Sequence, residues 1–228
     1  MKETIRVIDL SEWTGPVLPV NARCMAERWD VQGVVLQAWG GGPLEGRRNE
    51  HFHQAVDAFR EAGITNIDPY VWPPSDWRAA LKWIGDYKRF MSGAVYLDVE
   101  ARAGVIDGII NGVRQAGWEP RIYASPGSWA TIMDNTNRYA DLKLWVARYL
   151  LRFKRPDDFY RPGFDVNFPE DALGGFIMGG WNVDDLVGWQ TTGTVPVVCQ
   201  PTRSLTFHPP IMNPPRASSG KFTSKPGR

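Results

Sequence analysis

Residues 94–100 read AVYLDVE, and the alternation within this short run decides the fold expected of the chain. In a strand, successive side chains point to opposite faces, so Val95, Leu97 and Val99 share one face while Tyr96, Asp98 and Glu100 share the other. The apolar face suits packing under a layer of helices. The polar face then points inward, with its two acids roughly 6–7 Å apart by strand rise at the C-terminal end of the run. Active sites of α/β barrels are built at that end of the strands.

Other short β-branched or apolar runs recur along the chain: 5–10 (IRVIDL), 33–39 (GVVLQAW), 64–72 (ITNIDPYVW), 120–124 (PRIYA), 142–148 (LKLWVAR), 173–178 (LGGFIM) and 186–190 (LVGWQ). Helical stretches are expected between them at 21–30, 49–62, 76–91 and 104–117, with Asn49, Ser75 and Asp107 as start signals and Gly63 and Gly117 as stops. Strands alternating with helices predict βα units around a parallel sheet. The expected fold class is α/β, an irregular TIM-like (β/α) barrel, because residues 150–172 form a long connection rich in charge, aromatics and proline. A barrel over 1–207 followed by a Pro-rich basic tail over 208–228 is the expected organisation.

Composition narrows the functional classes. At 43% hydrophobic and 22% charged residues, the 228-residue chain is ordinary for a soluble globular protein of one main domain. The net charge of +1 conceals five basic residues and no acidic one within 201–228, which leaves the rest with 21 basic and 25 acidic residues. A mildly acidic body offers no footprint for nucleic acid. Cys24 and Cys199 have no paired spacing, so free thiols are expected. The N-terminus lacks the pattern of a secretion signal, and no run approaches a membrane span. The expectation is a chain made in the cytoplasm, whatever its later destination.

The chemistry expected of the chain centres on carboxylates. Two acids close together raise at least one pKa, so that one stays protonated beside an ionised partner, and glycoside cleavage needs that division. The alternative is that Asp98 and Glu100 cap the following helix or pair with Arg102. In the first strand Ile5, Val7 and Asp9 share a face, which places a third acid at a strand end, with capping of the segment SEWTG as its alternative role. Aromatic residues gather at the same strand ends, among them Trp39, Tyr70, Tyr123 and Trp145, where they either stack on sugar rings or fill the core. His51 and His53 lie two apart and share no helical face, so no metal and no other cofactor is expected. Ser125 and Ser128 lack a triad pattern, and Gly40, Gly41 and Gly42 lack the following Lys of a phosphate loop.

Read in order, VIDLSEW, YLDVE, RIYASPGSW, LWVARY and VGWQTTG resemble successive landmarks of the family 25 glycoside hydrolases, the lysozyme-type N-acetylmuramidases of bacteria and their phages. The resemblance covers about residues 5–207. It implies that Glu100 is the general acid. Asp98 and Asp9 would orient water or the substrate's 2-acetamido group and stabilise an oxocarbenium-like transition state. Tyr70 would face the site, with Trp39, Tyr123, Trp145 and Gln190 binding substrate. The implied partner is bacterial cell-wall glycan, with other phage structural proteins meeting the C-terminal tail. Two departures stand out. Gln37-Ala38-Trp39-Gly40-Gly41 replaces the family's Lys-Ala-Thr-Glu-Gly, and VVCQPTRSLTF offers only Ser204 where a late Asp is usual. The rival expectations are a phage tail or tail-tip component that binds wall glycan with little turnover, and a barrel glycosidase for another polysaccharide.

Overall fold

The computed structural model describes residues 5–40, 46–73, 76–100, 106–148, 178–190, 197–200 and 203–205. Seven parallel strands follow one another in sequence order across a single sheet: β1 (Val7–Leu10), β2 (Gly33–Trp39), β3 (Asn66–Val71), β4 (Ala94–Asp98), β5 (Glu119–Ala124), β6 (Lys143–Ala147) and β7 (Leu186–Gln190). Helices α1 (Pro19–Trp29), α2 (Phe52–Glu61), α3 (Trp77–Ile84), α4 (Asp107–Gln115) and α5 (Pro126–Met133) lie in the crossovers. The sheet curls, bringing the C-terminal ends of its first and last strands within a side-chain hydrogen bond, Gln190 Nε2 to Asp9 Oδ1 at 3.1 Å. This is the α/β, barrel-like architecture expected from the alternation of strand and helix. The run expected as a strand at 173–178 lies outside the described residues except for Met178, which is not in a strand. The tail at 208–228 also lies outside them.

The alternation at β4 divides the core as its residue types require. Val95, Leu97 and Val99 are buried in the large outer cluster, where α2 contributes Phe52, Ala55, Val56 and Phe59 at helical spacing. Tyr96 packs inside with Val35 and Trp145, and Tyr70 and Tyr123 lean on that group. The inner cluster forms a floor beneath the C-terminal mouth. Trp145 meets Tyr96 and Tyr123 edge-on, with ring centroids 5.2 and 5.5 Å away. The floor needs a glycine opposite: a Cβ at Gly188 would stand 3.0 Å from the Trp145 ring. Farther from the mouth, Arg121 is enclosed by the Tyr96 hydroxyl at 3.2 Å, Glu119 at 3.0 Å and Asp68 at 3.9 Å. That arrangement lets a charged residue lie inside the curl with its donors satisfied.

Several boundaries differ from the sequence expectation. α2 has His51 at its N-cap, and Asn49 instead accepts from the His51 amide and donates to the Gln37 carbonyl. α3 is capped by Asp76, whose carboxylate accepts from Arg78 N and Ala79 N, and it passes into a 3-10 stretch over Gly85–Phe90. Asp107 lies in the first turn of α4, behind Ile106 at the cap. Gly63 and Gly117 do end helices, at φ of 86° and 74°, a region that costs a side chain energy. α5 and a two-stranded antiparallel ladder of β8 (Val197–Gln200) and β9 (Arg203–Leu205) were not expected. The expectation of free thiols is corrected, because Cys24 on α1 is disulfide-bonded. The sequence holds one other cysteine, Cys199, on β8, the strand that lies against α1.

Candidate active site

Parallel strands in register deliver their last residues to one end of the sheet, which is why acids distant in sequence converge. Asp98 closes β4 and pairs in register with Tyr123 on β5, which pairs with Trp145 on β6. Asp9 pairs with Val35 on β2, one residue before β1 ends. Glu100 follows β4 on the same face. The three carboxyls interact through space: the charges of Glu100 and Asp9 both raise the pKa of Asp98, and the charge of Asp9 raises that of Glu100. Tyr70, at the level of Tyr96 on the neighbouring strand, senses Asp98, Asp9, Glu100 and Glu12 together.

For all three acids burial is the largest cause of an upward shift, because the charged form loses hydration. Asp98 is held well above the usual carboxylate range, and its Oδ1 is buried without a hydrogen-bond partner among the described residues. A buried, unpartnered carboxylate oxygen is costly in the ionised form, so the pair of Asp98 and Glu100 retains a proton above the usual carboxylate range. Asp9 is reached by solvent yet closely surrounded by protein. Its own backbone and the Gln190 amide offset part of the upward shift.

The remaining expected residues take distinct places. The Tyr123 hydroxyl donates to Gln190 Oε1 and also lies in hydrogen-bond contact with Glu100. Trp145 is buried in the floor under Tyr123. Trp39 packs against the outer core and bridges to Arg48. The alternative roles are filled by others. Ser11, not Asp9, caps the short 3-10 turn over Glu12–Thr14, and Ile106 stands at the N-cap of α4. Arg102 lies outside the described residues.

One acid went unnoticed in the sequence. Glu12 follows β1 directly, its backbone N–H donates to Gln37 Oε1 at 2.9 Å, and its side chain is only 9% exposed. It meets Arg47 Nε at 2.8 Å, so it arrives with a partner that offsets its charge. Its position at the end of β1, two residues past the strand, is the signal that marks it. Among the described residues no group of His, Cys, Asp and Glu is arranged to hold a metal ion.

No protein-family model and no curated protein matches the chain. Among solved structures, the crystal structure of the bacterial lysozyme from Streptomyces coelicolor is similar at 16% identity and a TM-score of 0.48, over 66% of this chain and 77% of that one.

Proposed function

We propose that this chain is a glycoside hydrolase acting on bacterial cell-wall glycan in the manner of an N-acetylmuramidase. The observation that carries the reading is the convergence of Asp9, Asp98 and Glu100 at one end of the parallel sheet, with burial raising all three carboxyls and repulsion from neighbouring acids adding to it at Asp98 and Glu100. In this reading Glu100 passes its proton to the leaving glycosidic oxygen as the bond to the anomeric carbon breaks. The ionised Asp9 stabilises the oxocarbenium-like centre that develops. Asp98 orients the attacking water or the substrate's 2-acetamido group. Water supplies the hydroxyl to the anomeric carbon, and its proton restores the acid. Tyr70 and Tyr123 frame the sugar, and Trp145 supports Tyr123 from below.

Place of action follows from the same reading. A disulfide at Cys24 persists best outside a reducing cytoplasm, which supports action at the cell wall. The second reading, a virion component whose barrel binds wall glycan with little turnover, is favoured by the Pro-rich basic segment at 208–228 and by Ser204 standing where a late acid is usual. Release of reducing ends from purified peptidoglycan separates the two. The hydrolase reading expects release by the wild type and a loss of about 100-fold or more in Glu100→Gln. Equal release by both proteins would overturn it. Binding of muropeptides without any release supports the second reading.

A further inference from the structure

Among the described side chains, Trp13 is the aromatic that stands out of the protein, at 49% exposed. Tryptophan is highly buried on average, so an indole left in water calls for a reason. It belongs to neither buried cluster.

The turn that carries it is placed by β2. Side chains of a strand alternate between faces. Val34, Leu36 and Ala38 pack in the outer cluster and Val35 in the inner one, so Gln37 points inside the curl. Gln37 Oε1 accepts from the Glu12 backbone N–H at 2.9 Å. The 3-10 turn over Glu12–Thr14 therefore leans over the mouth, with Trp13 on its rim. Asp9 lies four residues back, so the two Cα atoms are at most about 14 Å apart.

The turn is also held firmly. Ser11 Oγ accepts from Trp13 N at 3.3 Å, the Ser11 carbonyl from Thr14 N at 3.1 Å, and the Glu12 carbonyl from Gly15 N at 3.1 Å. The Glu12 carboxylate is bound by Arg47 at 2.8 Å and lies over Gly40, 3.5 Å from where a Cβ would stand. A side chain with few torsions on a fixed backbone loses little entropy when a ligand covers it.

Leu18 and Val20, at the start of α1, are exposed as well, and they define the rival occupant, a second copy of the chain. The surrounding charges favour a sugar. Glu12 precedes Trp13, the half-exposed Arg47 is bound to it, and the acids of the mouth lie close by. A partner covering this indole must bring hydrogen-bonding groups beside an apolar face. A pyranose ring does so, with C–H groups on its face and hydroxyls around its edge. We propose that Trp13 is a stacking platform for a sugar unit beyond the two that flank the cleaved bond. The proposal rests on the reading of the mouth as a glycan site and extends that site along the rim.

The test is chain-length dependence. Titration calorimetry of the full chain carrying Glu100→Gln, which removes turnover, measures binding of β-1,4-linked N-acetylglucosamine oligomers. Trp13→Ala in that background should weaken hexasaccharide binding about threefold to tenfold, the worth of one aromatic contact, and leave disaccharide binding unchanged. Trp13→Phe should keep most of the hexasaccharide affinity, because a ring face survives. Equal loss at both lengths would make Trp13 part of the centre or of the fold, and no loss at either would leave no platform. Each result overturns the inference. So does a dimer in sedimentation that Trp13→Ala abolishes without altering sugar binding. Absence of hexasaccharide binding overturns it too, while release of reducing ends from peptidoglycan would then leave the hydrolase reading standing. A length step in binding with no such release by the wild type counts against the hydrolase reading alone.

Discussion

Gln190, the last residue of β7, donates to Asp9, near the end of β1, at 3.1 Å across 181 residues of sequence. The first and last strands of the seven-stranded sheet are thus joined at the mouth, where all the candidate carboxyls gather. A chemistry of several acids needs them held at fixed separation, and here the holding is done by the curl of the sheet plus one amide.

Asp98→Asn should make the protein more stable at neutral pH while impairing any hydrolysis. The Asp98 carboxyl is raised well above its ordinary value by burial first, then by Glu100 and Asp9. For an acid raised in the folded state, the native protein binds the extra proton, so its contribution to stability is present below the unfolded value and is lost as pH rises through the folded one. Thermal melting against pH should therefore show a decline on the alkaline side of the usual carboxylate range. The variant should flatten that decline and melt higher at pH 7 by a few degrees, about 2–4 °C per kcal/mol for a chain of this size. A steeper decline in the variant would contradict the burial of a repelled carboxyl.

Arg47→Ala should shift the acids upward. Glu12 is nearly buried and its guanidinium partner lies at 2.8 Å. Without that partner its negative charge acts on Tyr70 and the neighbouring acids unopposed, and a like charge disfavours further ionisation. The alkaline limb of the hydrolysis profile should move to higher pH, and Glu12→Gln in the same background should return it. An unmoved limb would place Glu12 outside the electrostatic reach of the site.

Gly112→Ala should destabilise the fold far from the mouth. A Cβ there would lie 1.9 Å from the Trp77 ring, so α4 and α3 are packed through that glycine. Overpacking of this kind costs about 1–3 kcal/mol, and urea unfolding should show it. Gly188→Ala, pressing on Trp145 at 3.0 Å, should cost less. It should act on the site instead, by tilting the floor beneath Tyr123. Tryptophan fluorescence and reducing-end release together distinguish the two.

Reduction of the Cys24 disulfide should lower stability by about 2–4 kcal/mol, the usual worth of such a cross-link. Alkylation under native conditions should leave Cys24 unlabelled until reductant is added. Ready labelling beforehand would show a free thiol.

Much of this arrangement was legible in short alternating runs. GVVLQAW and AVYLDV declare strands through β-branched residues and period two, and the same parity puts Asp98 and Tyr96 together on the inner face. The helix PGSWATIM at 126–133 escaped notice because a Pro-Gly start reads as a turn, although Ser125 caps it by accepting from Ser128 N at 3.0 Å. The cross-link at Cys24 was hidden because sequence separation says nothing of which strand folds back on α1. Residue types at Asp9, Tyr123 and Gln190 were readable, but the direction of the hydrogen bonds between them was not. That direction depends on which amide end faces a charge, and only the folded geometry sets it.

The bond between Gln190 and Asp9 also has a temporal meaning. During synthesis the three acids of the cluster all emerge by residue 100, but the amide that holds Asp9 emerges only with β7. An incomplete chain holds like charges together with nothing to arbitrate among them, and that repulsion works against early closure of the curl. Docking of β7 therefore completes the seven-stranded sheet and ties its first strand to its last in a single event.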